Sequence, residues 1–218
     1  MTKSWVTLER VDTADGPLEL RRRGERDFLI LLAGRVLMNS AAHRSELALA
    51  SQACARLAGH ASPSLLIGGL GMGFTLRAAL DALPADARVC VAELHPCVVD
   101  WCRGVLAPLT GGAALDPRVG IELGDVGVQI RQAARGGDRF DAILLDLYTG
   151  PGGGGACFEP GMLAAARAAL APGGVYAVWS ERPDPVFEKR LRAAGFDAVR
   201  SRPGRGGLRH AVYTATPS

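Results

Sequence analysis

Three carboxylates in this sequence each stand at the end of an apolar, strand-like run. Glu93 closes "RVCVAE", Asp125 follows "RVGIELG", and Asp146 follows "FDAILL". A further run of the same kind, "LLIGG", leads into glycines at positions 69, 71 and 73 before a helical pattern opens at Phe74. Glycine admits positive φ and lets a ligand lie against the backbone, and the start of the following helix offers free N–H groups. The dinucleotide fingerprint GxGxxG fails in register: counted from Gly69 it ends on Phe74, and from Gly71 on Leu76. The chain reads GxGxG instead.

Each acid has a part in such a site. In a doubly wound sheet, ligands sit beyond the carboxyl ends of the strands, at the switch point beside the first of them. Glu93, twenty residues past Gly73, is placed to accept hydrogen bonds from ribose hydroxyls, a feature that suits NAD and S-adenosylmethionine equally. Asp125 stands where a carboxylate takes the exocyclic amino group of adenine, and Asp146 stands beside the reacting centre. A rim of carboxylates suits a positively charged sulfonium, whereas a pyrophosphate favours fewer. Ordinary polar strand ends are the plain alternative, but three at successive strands argue against it. The expected nucleoside site is therefore Gly69, Gly71, Gly73, Glu93, Asp125 and Asp146, holding S-adenosylmethionine and no metal.

The elements that must position these residues alternate regularly. From residue 61 onward the chain runs "LLIGG", "RVCVAEL", "RVGIELG", "FDAILLDLY" and "VYAVWS" as strands with helical patterns between them. It closes on "FDAVRSR" and "RHAVYTAT", an antiparallel pair across "PGRGG". Central strands apolar throughout are what a parallel sheet buried on both faces demands. The expectation is an α/β, Rossmann-like doubly wound sheet whose last strand turns back antiparallel. Residues 1–60 form an N-terminal extension: two hairpins from "WVTLERV", "LELRRR", "FLILLAG" and "RVLMNS", then a helix with Leu47, Ala50, Cys54 and Leu57 at helical spacing. Residues 61–218 form the nucleoside-binding domain. The stretch "GPGGGGA" (150–156) is a loop of low complexity beside the fourth strand.

Composition narrows the classes. A chain of 218 residues, nearly half of them apolar, supports a full core, and a net charge of +3 argues against nucleic acid as the main partner. The N-terminus "MTKSWVTLERVD" has no secretory h-region and no apolar run spans a bilayer, so a cytoplasmic protein without a membrane partner is expected. Five cysteines without ligand-like spacing read as thiols, with Cys97 and Cys102 on a helix against the core.

The order of elements, with "HRSE", "IGGLGMG", "AEL", "GDV", "LLDLYTGP" and "APGGVYAVWS", resembles the spermidine/spermine synthase family within the class I S-adenosylmethionine-dependent methyltransferase fold. The resemblance implies that Asp146 matches the family's catalytic base, that Glu93 and Asp125 match its ribose and adenine contacts, and that Pro151 lies in its proline-containing turn. It also implies a substrate-facing role for His43 and Glu46, for which capping or hairpin packing is the alternative. It points to a homodimer, as do the open edges of two small hairpins. Two positions depart from the family pattern. Gly71 stands in place of the aspartate of GGGDGG that holds the donor's amino group, and Thr149 in place of the second strand-four aspartate that binds polyamine. Tyr148 either walls the acceptor pocket or ends its strand.

Three readings follow. The first is methyl transfer from S-adenosylmethionine to a small molecule, in keeping with the missing aspartate, the decarboxylated donor being the less expected one. The second is aminopropyl or 3-amino-3-carboxypropyl transfer, in keeping with the hairpins and Asp146. The third is a non-catalytic S-adenosylmethionine-binding partner subunit.

Overall fold

The computed structural model describes residues 4–148, 155–203 and 210–218. The N-terminal strands β1 (Val6–Thr13), β2 (Gly16–Arg23), β3 (Asp27–Leu32) and β4 (Arg35–Asn39) form one antiparallel sheet in the order β1-β2-β3-β4. The expected strands are present, but they make a continuous meander rather than two separate hairpins. The central pair runs in unbroken register from Leu18↔Leu32 to Arg23↔Asp27, and an Arg23–Asp27 ion pair at 3.1 Å closes it.

Helix α1 (Arg44–Cys54) follows and ends in a 3-10 turn, Ala55–Leu57. Its buried face carries Ser45, Glu46, Leu49, Ala50, Ala53 and Cys54, while Leu47 is exposed. The spacing that joins Leu47 to Ala50 thus misplaces the face: the helix buries the stripe running through Glu46, which sets a carboxylate in the interior.

The second sheet has seven strands in the order β10-β11-β9-β8-β5-β6-β7. Its members are β5 (Ser64–Gly68), β6 (Arg88–Glu93), β7 (Val119–Leu123), β8 (Phe140–Leu145), β9 (Leu170–Ser180), β10 (Phe196–Ser201) and β11 (Ala211–Pro217). Strands β5 to β9 pair in parallel, and β11 runs antiparallel to both β9 and β10. The helices α2 (Phe74–Ala82), α3 (Pro96–Arg103), α4 (Val126–Gly136), α5 (Pro160–Ala169) and α6 (Pro185–Ala193) connect them. The central strands β5 and β8 are buried almost throughout, as an apolar run covered on both sides must be. Helix α3 stops at Arg103, and a separate 3-10 turn, Ala107–Leu109, follows it.

Two apolar clusters hold the layers together. One face of the large sheet packs with α1, α2 and α3 and also takes in Leu18, Leu20, Phe28 and Ile30 of the small sheet. The other face packs with α4, α5 and α6. A polar tie adds to the first: the Trp101 indole N–H of α3 donates to Glu9 Oε2 of β1 at 2.6 Å. The small sheet therefore shares a core with the large one and lies over the ends of its strands. Cys102 is buried and Cys97 half-buried; among the described residues no cluster of His, Cys, Asp and Glu is arranged to hold a metal. Among the same residues no helix is long and apolar enough to cross a membrane.

Candidate active site

A cavity of about 330 Å³ opens at the carboxyl ends of β5, β6, β7 and β8, within the size range of small-molecule sites. Gly69, Gly71, Glu93, Asp125, Asp146, Tyr148 and Glu46 all line it.

The glycine turn is shaped by its neighbours. Gly69 has φ +88° and donates its N–H to the Ala92 carbonyl at 2.9 Å. A Cβ there would come within 2.5 Å of the Asp146 carbonyl oxygen, so only glycine lets the ends of β5 and β8 approach this closely. Gly71 has φ +54°, and a Cβ on it would meet Met38 Sδ at 2.9 Å. Met38 comes from β4, and the Met72 N–H donates to its sulfur at 3.1 Å. A thioether from the small sheet thus fills the space beside position 71. Gly73 begins α2 in the left-handed conformation but does not line the cavity; its work is to turn the chain into the helix.

Glu93 is buried, and backbone donors hold both of its oxygens. The Leu70 N–H donates to Oε2 at 2.8 Å and the His95 N–H to Oε1 at 2.9 Å. The carboxylate therefore fixes the glycine turn to the start of α3 while facing the cavity. His95 shapes that turn and also lines the cavity. Asp125 precedes α4, lines the cavity and makes no side-chain cap bond to the helix.

Asp146 lies one residue beyond β8, outside the sheet, where its side chain is half-buried at the cavity floor. The Thr75 hydroxyl of α2 donates to Oδ2 at 2.6 Å. Burial pushes the Asp146 carboxyl up to about 7 and the nearby charge of Glu46 adds to the rise, while the Thr75 hydrogen bond pulls the other way. Glu46 reaches the same place from α1 and accepts a hydrogen bond from the Ser45 hydroxyl at 2.6 Å. Two carboxylates from distant parts of the chain meet here, which is an arrangement that binds and deprotonates cations.

The remaining expected residues divide. Tyr148 walls the cavity, with the Arg35 guanidinium 5.2 Å from its ring centroid. His43 does not line it. Its ring stacks on Phe74 at 4.1 Å and its Nδ1–H donates to the Ser40 carbonyl at 2.9 Å, so this side chain packs the start of α1. Thr149 and Pro151 lie outside the described residues. Trp179 of β9, Met38 and Thr75 contribute to the site without having been singled out from the sequence. Of these only Thr75 carries a local signal, a hydroxyl in the first turn of the helix that follows the glycines.

The C-terminal arginines do not gather into a free basic face among the described residues. Arg190 pairs with Glu159, and Arg192 and Arg200 both pair with Glu188.

No protein-family model matches the chain. Similarity to individual proteins is nonetheless consistent. The polyamine aminopropyltransferase of Corynebacterium efficiens is 40% identical over 91 residues, covering 42% of this chain and 17% of that protein. Putrescine N-methyltransferase 1 of Nicotiana tabacum is 37% identical over 117 residues, covering 54% of this chain and 30% of that one. The spermidine synthase of Thermotoga maritima superposes with a TM-score of 0.73 at 19% identity, covering 96% of this chain and 72% of that chain. The chain spans less than a third of the length of the first two relatives. By local sequence the chain is similar to polyamine aminopropyltransferases and to a putrescine N-methyltransferase, and its fold is the one seen in spermidine synthase structures.

Proposed function

We propose that the protein is a transferase that moves an aminopropyl group from a sulfonium nucleoside of the S-adenosylmethionine type to an amine. The observation that carries this reading is the meeting of Glu46 and Asp146 in one cavity with Glu93, Asp125 and the glycine turn. The missing family aspartates alone argue against an ammonium-bearing acceptor, because a buried charge needs a partner. Glu46, arriving from α1, supplies a carboxylate from elsewhere. The relatives named polyamine aminopropyltransferase further move aminopropyl transfer ahead of methyl transfer, the reading that the sequence alone favours.

The donor, when bound, supplies the leaving group. The chain's own residues align and deprotonate. Glu93 and Asp125 offer acceptors for ribose hydroxyls and for an adenine amino group. Glu46 and Asp146 draw in the acceptor ammonium, and Asp146 takes its proton so that the nitrogen lone pair is free to attack. An alkylammonium has an ordinary pKa of about 10.4, so transfer to a carboxylate near 4 would cost about 9 kcal/mol, and transfer to one near 7 about half of that. The raised Asp146 is matched to this step.

Methyl transfer is the second reading. It is favoured by Gly71 and by Met38 Sδ beside it, which leave no carboxylate at that point for a donor's free ammonium. The form of the donor follows from which group moves. Incubation with either S-adenosylmethionine or its decarboxylated form, together with 1,4-diaminobutane, distinguishes the two by mass spectrometry. Methylthioadenosine with an aminopropylated amine supports the first reading, and S-adenosylhomocysteine with an N-methylated amine supports the second. Neither product from either donor would overturn both. Exposed Val6, Leu8 and Val36 on the small sheet support a homodimer formed through that sheet, and light scattering that reports a monomer at high micromolar concentration would overturn it.

A further inference from the structure

We infer that His210 is a positioning residue for the acceptor end of the cavity, acting on Glu46 through the Ser45 hydroxyl. The inference rests on the amine-acceptor reading. Glu46 and Ser45 are buried side by side in the first turn of α1, and the Ser45 hydroxyl lies 2.6 Å from Glu46 Oε2 and 2.8 Å from His210 Nδ1. A serine hydroxyl has one hydrogen to give, and an ionised carboxylate can only accept. Ser45 must therefore donate to Glu46, and its oxygen accepts from His210 Nδ1–H. The three groups form a chain whose donors all point inward, from His210 to Ser45 to Glu46.

That polarity decides what the chain does. Each donor strengthens the next, and the sum favours negative charge on Glu46. Carrying a proton outward would require the Ser45 hydroxyl to turn round and His210 to give up its Nδ1 proton, so the arrangement suits holding a carboxylate rather than draining an acid. Glu46 Oε1 has no hydrogen-bond partner among the described residues, which leaves it available to a ligand while Oε2 is held. His210 is itself located by its neighbours. It directly precedes β11, and its ring meets that of cavity-lining Trp179 edge-on at 4.9 Å. Positions 45 and 210 lie 165 residues apart, and nothing in the spacing of either motif announces the link.

The test uses the full chain with methylthioadenosine bound and 1,4-diaminobutane as the probe, read by calorimetry. His210→Ala and Ser45→Ala are each expected to weaken diamine binding about fivefold or more, since an inward-pointing donor to a charged group is lost. His210→Asn, whose amide N–H stands close to the position of Nδ1, is expected to recover binding to within about twofold of the unaltered protein. Methylthioadenosine affinity should be the same in all of them. Unchanged diamine binding in both alanine variants overturns the inference. So does a parallel loss of nucleoside affinity, which would mean general damage, or a failure of His210→Asn to rescue. Nitrogen-15 chemical shifts of the imidazole test the link independently of any acceptor: a neutral ring protonated at Nε2 overturns it. Unaltered protein that binds no diamine, with the Nδ1–H tautomer in place, overturns the amine-acceptor reading and this role with it.

Discussion

The two ends of the cavity are built on opposite principles. At the nucleoside end, Glu93 accepts from the backbone N–H groups of Leu70 and His95, so the carboxylate that would hold a ligand also ties two turns together. At the acceptor end, Asp146 and Glu46 approach each other under burial, and Asp146 is driven far from its ordinary ionisation. The first end stabilises the fold with its functional group, whereas the second stores unfavourable electrostatics for a cation to relieve. Removing a carboxylate should therefore have opposite effects on stability at the two ends.

Asp146→Asn carries the largest expected effect. Turnover should fall by about a thousandfold or more, since the variant keeps the Thr75 hydrogen bond but cannot take a proton. Stability should move the other way. With the native-state value near 7 and the ordinary value near 4, the folded protein holds a proton that the unfolded chain has lost between those pH values. Stability contributed by this group therefore falls as pH rises through that window, and the penalty is complete above it. The variant removes the penalty, about 4 kcal/mol for the full shift and about half of that once solvent screening of this half-buried side chain is allowed for, so thermal denaturation should show a gain of about 2 kcal/mol at pH 8 and almost none at pH 4. An equal or lower melting temperature at pH 8 would break the contrast between the two ends.

Glu93→Ala should do the reverse. It strands the buried Leu70 N–H at about 1 to 3 kcal/mol and the part-buried His95 N–H at less, so the melting temperature should drop together with nucleoside affinity. If affinity falls while stability holds, the carboxylate serves the ligand alone and the two ends do not differ as described.

What was legible in the sequence follows the same division. Glu93, Asp125 and Asp146 were found because each closes an apolar run, and the topology of a doubly wound sheet carries strand ends to one place. Glu46 is legible only through a motif resemblance, because the apolar spacing through Leu47 points to a different stripe of α1 from the one that is buried. Met38 over Gly71, Trp179 in the wall, and His210 behind Ser45 were not legible. Each depends on how a second sheet or a distant strand packs across the cavity, which no local pattern records. The sequence shows Gly71 in the place of the family aspartate, and it carries no sign that Met38 Sδ lies beside that position.

Gly71→Asp sharpens that point with a smaller effect. The residue has positive φ and its Cβ would lie 2.9 Å from Met38 Sδ, so the substitution strains the backbone and displaces a side chain. A loss of about 1 to 3 kcal/mol in denaturant unfolding is expected. Met38→Ala alongside it should return part of that loss by clearing the space, though not the part due to φ. If the double variant is no more stable than Gly71→Asp alone, the thioether is not what occupies the position.

The smallest effect is expected at Asp125, and it isolates ligand recognition from folding. Its side chain makes no cap bond to α4, so Asp125→Ala should leave the melting temperature within about 0.5 kcal/mol of the unaltered protein. What it should lose is a charged acceptor for the adenine amino group, about 1 kcal/mol of nucleoside affinity. The cleaner reading is a difference between two ligands. S-adenosylhomocysteine carries the amino group, and its deaminated inosine analogue carries a carbonyl there, which a carboxylate repels. The unaltered protein should prefer the adenine form by about tenfold, and Asp125→Ala should nearly erase that preference, both by weakening the adenine form and by relieving the repulsion on its inosine analogue. A variant that still discriminates as the unaltered protein does would mean that the base is read by other groups. Asp125 would then be only a polar strand end, and the nucleoside end of the cavity would rest on Glu93 alone.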